Sequence, residues 1–300
     1  MAQPALGMQM RQLEEALGVP LLTRHSRGVT PTPAGSVLYE RACEIVRLVD
    51  ETERSVRAFG AASSERIGLG LTNGLINFLG RSITARVAQE LPAIELQLVE
   101  DMSSVLADRV ERHEIDLALA YEVPDRIGLQ RVPLLEEELL FVSVANGDGK
   151  AHDHQTSEPI DFRELATRKL VLPERRDGTH QLLRSIAKRM ACELNVVREV
   201  SSVAATRDFV VHGDADSVMP FASISNELAL GRLVGRRIVD PSPRRTLYLL
   251  RAAHHPSSVQ ALHLVDLLGD LLTGFAQQLG PLAHPLATLN SPLSAALARL

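Results

Sequence analysis

Apolar residues near the start of the chain recur at helical spacing. Four of them share one helix face because they follow at steps of four, three and four residues: Leu6, Met10, Leu13 and Leu17. Pro4 suits the first turn of such a helix, and Gly18 suits the position just after its end. The pattern predicts a helix over residues 3–17, followed by a short two-stranded hairpin over residues 19–30.

A second helical pattern begins after Thr32, which we expect to cap the helix, and it has a narrower apolar seam. Its positions follow steps of four and three in strict alternation: Leu38, Ala42, Ile45, Val49, Thr52, Val56 and Phe59. Because a seam of 3.5-residue period with charged flanks is typical of a helix that pairs with another helix, we predict a dimerising helix over residues 36–60. The alternative is a helix that packs on its own domain. The small residues that follow predict a hinge over residues 61–66.

Short apolar runs then alternate with helical patterns, as in α/β domains with parallel strands joined by crossovers. The expected strands are residues 66–71, 94–100, 115–121, 139–145, 170–173, 196–200, 217–220 and 245–251. The expected helices are residues 76–91, 103–113, 181–191, 203–212 and 259–278. We predict two lobes with a ligand-binding cleft, lobe I over residues 67–138 and 240–279 and lobe II over residues 139–239. Prolines in residues 280–300 predict a tail that is partly disordered.

Composition narrows the function. The 300 residues, 45% hydrophobic and 23% charged, suit about two globular domains. No run of eighteen apolar residues predicts a membrane span, no secretory signal is evident, and we expect a cytoplasmic protein. The two isolated cysteines, Cys43 and Cys192, predict neither a disulfide nor a metal site. A net charge of −5 argues against a surface that is nucleic-acid-binding throughout.

Enzymatic motifs are incomplete. The stretch GLGLTNG, residues 68–74, has a GxGxxxG spacing that differs from the dinucleotide-binding fingerprint. Asp214 and Asp216 lack the remaining oxygen ligands of a calcium loop. A nucleophile elbow GxSxG is absent from the sequence. We therefore expect a protein that is not an enzyme and that uses no cofactor.

The pattern QPALxxQxxxLEExLGxxL, the arginine-bearing hairpin closing on TPxG, the heptad helix and the two-lobed region together resemble the LysR-type transcriptional regulators. The resemblance covers about residues 2–279. The stretch LQLVEDMSSVLADRVERHEIDLALAYEVP is similar to the first regulatory lobe of that family, nearer the nitrogen-assimilation regulators. The resemblance to the LysR-type regulators implies a partial winged helix-turn-helix over residues 1–35. It also implies a two-lobed effector domain over residues 67–279, with a type 2 periplasmic-binding-protein fold.

The resemblance implies that residues 3–17 are a recognition helix that enters the major groove of promoter DNA. Gln3 would bond an adenine edge, and Pro4 would touch the backbone sugar or a thymine methyl group. Arg24 and Arg27 would hold phosphates or the minor groove. Gly7 and Met8 replace a serine and an arginine common in the family, so phosphate anchoring beside Arg11 should be weaker. A homodimer that forms tetramers, and contact with RNA polymerase, are also implied.

The family's first two helices precede its recognition helix, and they are missing before Met1. We therefore expect the start to be mis-assigned, with an in-frame segment upstream that encodes an amphipathic helix. The alternative is a truncated cytoplasmic module that binds a small anion, or a dimer partner, without specific DNA binding.

Effector-binding candidates follow from strand ends, because the loops after strands and the helix N-termini beyond them bind polar or anionic ligands. The candidates are Thr72, Asn73, Gly74, Ser103, Ser104, Ser201, Ser202, Pro220 and Phe221. The resemblance adds weight to Thr72. The alternative for Ser103 and Ser202 is that each hydroxyl serves only as a helix N-cap. We expect a small polar or anionic effector.

Overall fold

The computed structural model describes residues 3–25, 28–57, 64–145, 157–253 and 258–298. The chain forms two compact units, Met1–Ser63 and Ser64–Leu300. Arg27 of the hairpin, Phe59 of the predicted seam and residues 61–63 of the predicted hinge lie outside the described residues.

The first unit begins with the predicted helix and hairpin. Helix α1 (Gln3–Leu17) is followed by Gly18, whose φ is +69°, and by the antiparallel strands β1 (Leu22–His25) and β2 (Gly28–Pro31). An Oε1 atom of Glu14 accepts the N–H groups of Leu21 and Leu22 at 2.7 and 3.0 Å. This carboxylate therefore fixes the start of β1 against α1.

The long helix α2 (Pro33–Arg57) completes the first unit. As predicted, Thr32 caps it, because its Oγ1 atom accepts the N–H of Gly35 at 3.0 Å. A Cβ atom at Gly35 would lie 2.0 Å from the carbonyl oxygen of Leu21, so the backbone approaches too closely for any other residue.

The second unit is an α/β structure. Its helices and strands follow in the order β3 (Glu65–Leu71), α3 (Asn73–Glu90), β4 (Ile94–Glu100), α4 (Ser103–Glu111), β5 (Leu117–Tyr121), β6 (Leu129–Glu138), β7 (Leu140–Val144), β8 (Ile160–Asp161), β9 (Leu170–Leu172), α5 (Gly178–Arg189), β10 (Val196–Glu199), α6 (Val203–Val211), β11 (Ser217–Met219), α7 (Ser225–Ala229), β12 (Leu233–Val239), β13 (Arg244–Ala252), α8 (Val259–Leu279), β14 (Ala283–Pro285) and α9 (Leu293–Ala298). Short 3₁₀ turns occupy Phe162–Thr167, Phe221–Ser223, Gly280–Leu282 and Ala287–Asn290.

Two larger sheets organise this unit. The first sheet has the order β14-β6-β13-β5-β3-β4, in which β3 pairs in parallel with β4 and β5, while β13 is antiparallel to β5 and β6. The second sheet has the order β11-β7-β12-β8, and the parallel pair β9 and β10 lies beside it through a bridge between Leu170 and Asp216. The chain passes between the sheets at Leu139 and returns at residues 240–243.

The glycines of the GLGLTNG stretch have a packing role. Gly70 lies in β3, and a Cβ atom there would come within 2.7 Å of the side chains of Ile115 and Leu106. Glycine at this position therefore lets α4 lie close against the sheet.

Helix α8 has the length and mean hydropathy of 1.2 that a membrane-crossing helix needs, although the sequence predicted no span. Length and composition alone are weak evidence for a membrane span, since the core helix of a globular protein can have the same length and hydropathy. Leu264, Leu268 and Leu272 are fully buried in the main core cluster, so α8 is a core helix.

The predicted tail over residues 280–300 is not partly disordered in residues 280–298, which form regular elements. Strand β14 extends the first sheet by pairing with β6, and α9 buries Leu293 and Leu297. The carboxylate of Asp266 accepts the N–H and the hydroxyl of Ser294 at 2.9 and 2.8 Å. The prolines misled the prediction because they lie in a turn, at the end of an edge strand and before a helix, where no backbone donor is needed.

Leu293→Ala should lower the free energy of unfolding by about 2–5 kcal/mol. The Leu293 side chain is 1% exposed, and its removal leaves a cavity beside α8. The matched control is Val259→Ala, at a side chain that is 66% exposed, with an expected change within about 0.5 kcal/mol. Urea denaturation measures both. Equal stability of the two variants would show that α9 is not part of the core.

Candidate functional site

The DNA-binding candidates of the first unit lie mainly on α1. Gln3 and Pro4 occupy its first turn, and Gly7, Met8 and Arg11 follow within two further turns. Met8 and Arg11 are exposed, and a Cβ atom at Gly7 would meet nothing within 4 Å. This stretch of α1 is therefore open to a large partner. Arg24 lies in β1.

The seam of α2 is also open. Ile45 is 64% exposed and Val49 is exposed to a similar degree, while Ala42 and Thr52 are exposed as well. Such apolar exposure on one helix face favours a protein partner over solvent.

The second unit contains a cavity of about 240 Å³ between the first sheet and the start of α5. Its walls come from the loop before α4, the end of β5 with the residues after it, the start of β13, and the first turn of α5. The lining residues are Met102, Ser103, Ser104, Tyr121, Glu122, Val123, Pro124, Arg126, Arg176, Asp177, Gly178, Thr179, Gln181, Leu182 and Arg245.

An ion pair lies behind the cavity wall. Nε and Nη2 of Arg245 donate to the same oxygen of Glu137 at 3.2 and 2.8 Å, and Glu137 is fully buried. The guanidinium lies over the ring of Tyr121, with 3.5 Å between its Cζ atom and the ring centroid. The cavity therefore has a fixed, planar cation in its wall.

This environment shifts two pKa values. Burial, together with the negative charge of Glu137, raises the pKa of Tyr121 well above its ordinary value. Burial alone would lower the pKa of Arg245, but the Glu137 carboxylate outweighs it and raises that pKa. At neutral pH the tyrosine is therefore a neutral hydroxyl and the arginine is charged.

The opposite wall is the N-terminus of α5. Asp177 caps this helix, because its Oδ1 atom accepts the N–H of Thr179 at 2.7 Å. On the near side, Glu122 has a φ of +51° and accepts the N–H of Thr246. Each carboxylate thus uses one oxygen in a backbone bond.

Two of the predicted effector residues, Ser103 and Ser104, line this cavity. Met102 rather than Ser103 is the N-cap of α4, and the hydroxyl of Ser103 accepts the N–H of Tyr121 at 3.0 Å. The N-cap alternative is therefore wrong for Ser103. It is confirmed for Ser202, whose hydroxyl caps α6 by accepting the N–H of Ala205 at 3.2 Å.

The other candidates lie elsewhere in the second unit. Thr72 is the N-cap residue of α3 without a side-chain capping bond, and Asn73 donates to Glu100 at 2.7 Å. Gly74 packs close to Ser223, in the 3₁₀ turn that begins at Phe221. The structure therefore places Gly74 beside the 3₁₀ turn that contains Phe221. The cavity lining includes none of the other candidates, which are Thr72, Asn73, Gly74, Ser201, Ser202, Pro220 and Phe221.

Sequence reasoning did not single out Arg245, Glu137 or Asp177. A usable signal existed, because Glu136, Glu137 and Glu138 interrupt an otherwise apolar stretch between Leu134 and Val142. Charged residues inside a strand that is otherwise apolar are buried only when they are paired.

Glu138 forms a second buried cluster where the chain passes between the sheets. Its carboxylate accepts hydrogen bonds from Arg237 of β12 at 3.0 Å, Arg244 of β13 at 2.9 Å and His284 of β14 at 2.8 Å. Burial would raise the pKa of Glu138, but these bonds outweigh it and lower that pKa. One carboxylate thus joins four strands from both sheets.

Comparisons with known proteins agree with this architecture. A protein-family model described as "Bacterial regulatory helix-turn-helix protein, lysR family" matches residues 1–36, and one described as "LysR substrate binding domain" matches residues 60–273. The nitrogen assimilation regulatory protein Nac of Escherichia coli K12 is 29% identical over 280 residues, which are 91% of this chain and 87% of Nac.

Two solved structures share the fold. The regulatory domain of Synechocystis PCC6803 CcmR, in complex with 2-PG, has a TM-score of 0.60 at 22% identity, covering 69% of this chain and 97% of the domain. Full-length CbnR, complexed with its target DNA, has a TM-score of 0.55 at 18% identity, covering 85% of each chain.

Glu138→Gln should lower the free energy of unfolding at pH 7 by about 3 kcal/mol, because Arg237 and Arg244 lose a buried counter-charge. Since the folded-state pKa of Glu138 is depressed, its contribution is present above the unfolded pKa of about 4.3 and is lost as pH falls further. The difference from wild type should therefore shrink in urea titrations below about pH 4.

The control is Glu136→Gln, at a neighbouring carboxylate that is 40% exposed, with an expected effect within about 0.5 kcal/mol. If the loss of unfolding free energy in Glu138→Gln stays constant down to pH 3, the charge-based explanation is contradicted.

Proposed function

The chain belongs to the LysR family of DNA-binding transcriptional regulators, and from this we propose that α1 recognises promoter DNA while the cavity of the second unit holds the effector. The observation that carries the proposal is a charged cavity of about 240 Å³ inside the region that matches the family's substrate-binding domain. Such a regulator acts where its DNA is, so we place it in the cytoplasm.

The proposed DNA contacts divide into two kinds. Gln3 and Pro4, at the start of α1, contact base edges, because the first turn of a recognition helix enters the major groove. Arg11 on α1 and Arg24 and Arg27 of the hairpin contact phosphates. Gly7 and Met8 leave room at the DNA surface without adding charge. CbnR, a structural relative, is described as complexed with its target DNA.

We propose that the α2 seam forms a homodimer, as its exposed Ile45 and Val49 favour. Tetramers through the second units, and contact with RNA polymerase, follow from the family resemblance alone.

We propose that the effector contacts Ser103 and Ser104, since both line the cavity. Contacts from Thr72, Asn73, Gly74, Ser201, Ser202, Pro220 and Phe221 stay predictions of the sequence. The alternative module without specific DNA binding is disfavoured, because residues 1–36 match the family's helix-turn-helix model.

Ile45→Glu should shift the protein from dimer to monomer in sedimentation equilibrium, because two facing seams would each bury a charge. The matched control is Tyr39→Glu, which places the same charge off the seam at a side chain that is 61% exposed. A dimer that survives Ile45→Glu, or one that Tyr39→Glu disrupts equally, would remove the seam from the interface.

Arg11→Ala should weaken binding to all duplexes about equally and reduce the salt dependence by about one phosphate contact. Gln3→Ala should instead weaken the binding free energy by about 1–3 kcal/mol for the operator alone, and not for other duplexes. Fluorescence anisotropy at two salt concentrations, with the chain's own promoter and a scrambled duplex, separates the two effects.

The control for these variants is Arg66→Ala, which removes the same charge from an exposed position in the second unit. If Arg66→Ala weakens DNA binding as much as Arg11→Ala does, α1 is not the DNA-contacting element.

A further inference from the structure

The cavity of the second unit carries charges of both signs, and its three arginines already have carboxylate partners. The pairs are Arg126 with Asp108 and Glu111, Arg176 with Glu174, and Arg245 with Glu137. Two further carboxylates line the cavity, Glu122 and Asp177, and neither forms an ion pair with another described residue. Because the arginines have carboxylate partners while Glu122 and Asp177 keep no cationic partner among the described residues, the lining offers acceptors as well as cations, which favours a ligand that carries both charges.

One arginine nevertheless keeps a free donor group. Nε and Nη2 of Arg245 bind Glu137, while Nη1 has no acceptor among the residues that the structure describes. Its side chain is 13% exposed, and the ion pair with the stacked Tyr121 ring holds it in place. A guanidinium fixed in this way can bind one carboxylate with little loss of side-chain entropy.

The hydroxyl of Tyr121 belongs to the ion pair behind the cavity wall. This hydroxyl and Oε1 of Glu137 are both buried and lack a close hydrogen-bond partner within the described part of the chain. Burial, and then the interaction of the hydroxyl with the Glu137 carboxylate, raises the pKa of Tyr121. Its proton is therefore directed to Glu137, and Arg245 supplies the donor for a ligand.

The carboxylates supply the complementary half of the site. Asp177 and Glu122 each use one oxygen in a backbone hydrogen bond and keep a second oxygen for a donor. Asp177 also acts electrostatically on Arg245, so the opposite charges are near one another across the cavity. An ammonium group would satisfy the free oxygens.

We propose that the effector is a zwitterion of the free α-amino acid class. Its carboxylate binds Nη1 of Arg245, and its ammonium group binds Asp177 and Glu122. The cavity volume of about 240 Å³ lies below the roughly 300–1,000 Å³ of common ligand pockets, which suits so small a ligand. The inference rests on the proposed effector role of the cavity, and it narrows the expected polar or anionic effector to a molecule that carries both charges.

The test is thermal-shift screening and calorimetric titration of the full chain with the twenty common L-amino acids, succinate and putrescine. We expect at least one amino acid to bind and to raise the melting temperature, whereas the dianion and the dication do not. Binding of succinate or putrescine without any amino acid, or binding of none of these compounds, would overturn the proposal.

Variants locate the site. Asp177→Asn keeps a capping oxygen but removes the charge, and it should weaken amino acid binding about tenfold or more. The matched control is Asp161→Asn. Asp161 is another N-cap, whose carboxylate accepts a backbone N–H at 2.7 Å, and it does not line the cavity. This variant should bind the amino acid normally. Equal affinities of the two variants would contradict the proposed ammonium site.

The role of Arg245 in binding the ligand carboxylate is tested by the double variant Arg245→Met with Glu137→Leu. This variant removes both members of the ion pair, so that no lone charge stays buried. It should lose amino acid binding while unfolding cooperatively, and retained binding would overturn this role. Operator affinity of the wild-type chain, measured in parallel, tests the proposed DNA-binding role separately, because its failure would leave the ligand result intact.

Discussion

Two adjacent buried carboxylates, Glu137 and Glu138 at the end of β6, impose the main constraint on the second unit. Because neighbouring side chains of a strand point to opposite faces, each carboxylate needs its own partners. Glu137 takes Arg245, and Glu138 takes Arg237, Arg244 and His284. The partner of Glu137 lies in the first sheet, whereas the partners of Glu138 come from both sheets and from the C-terminal strand. The two sheets and that strand must therefore assemble together for the Glu138 charge to be tolerated.

This constraint also shapes the site. The ion pair behind the cavity wall fixes the guanidinium of Arg245 against Tyr121, and the first turn of α5 supplies Asp177 opposite. A family with many ligands can keep one fold and change its specificity through such lining residues. In this chain, the lining combines a fixed cation with free carboxylate oxygens, and this combination distinguishes its cavity from one built for a simple anion.

Sequence patterns predicted the elements whose determinants are local. The spacing of α1, the Thr32 cap of α2 and the alternation of strands and helices depend on residues a few positions apart. The C-terminal strand was missed because its partner β6 lies far away in sequence, and its prolines obscured the pairing. Most lining residues were missed for the same reason, since Arg245 and Glu137 are 108 positions apart. Ser103 and Ser104 were found because strand ends are a local signal.

Recognition of a specific DNA sequence through α1 and the hairpin can be measured by DNase I footprinting of the chain's own promoter in excess competitor DNA. We expect a protected region confined to a defined site, and weaker protection with the Gln3→Ala variant. Uniform protection across the fragment, or no protection at concentrations at which the protein binds any duplex, would contradict sequence-specific recognition.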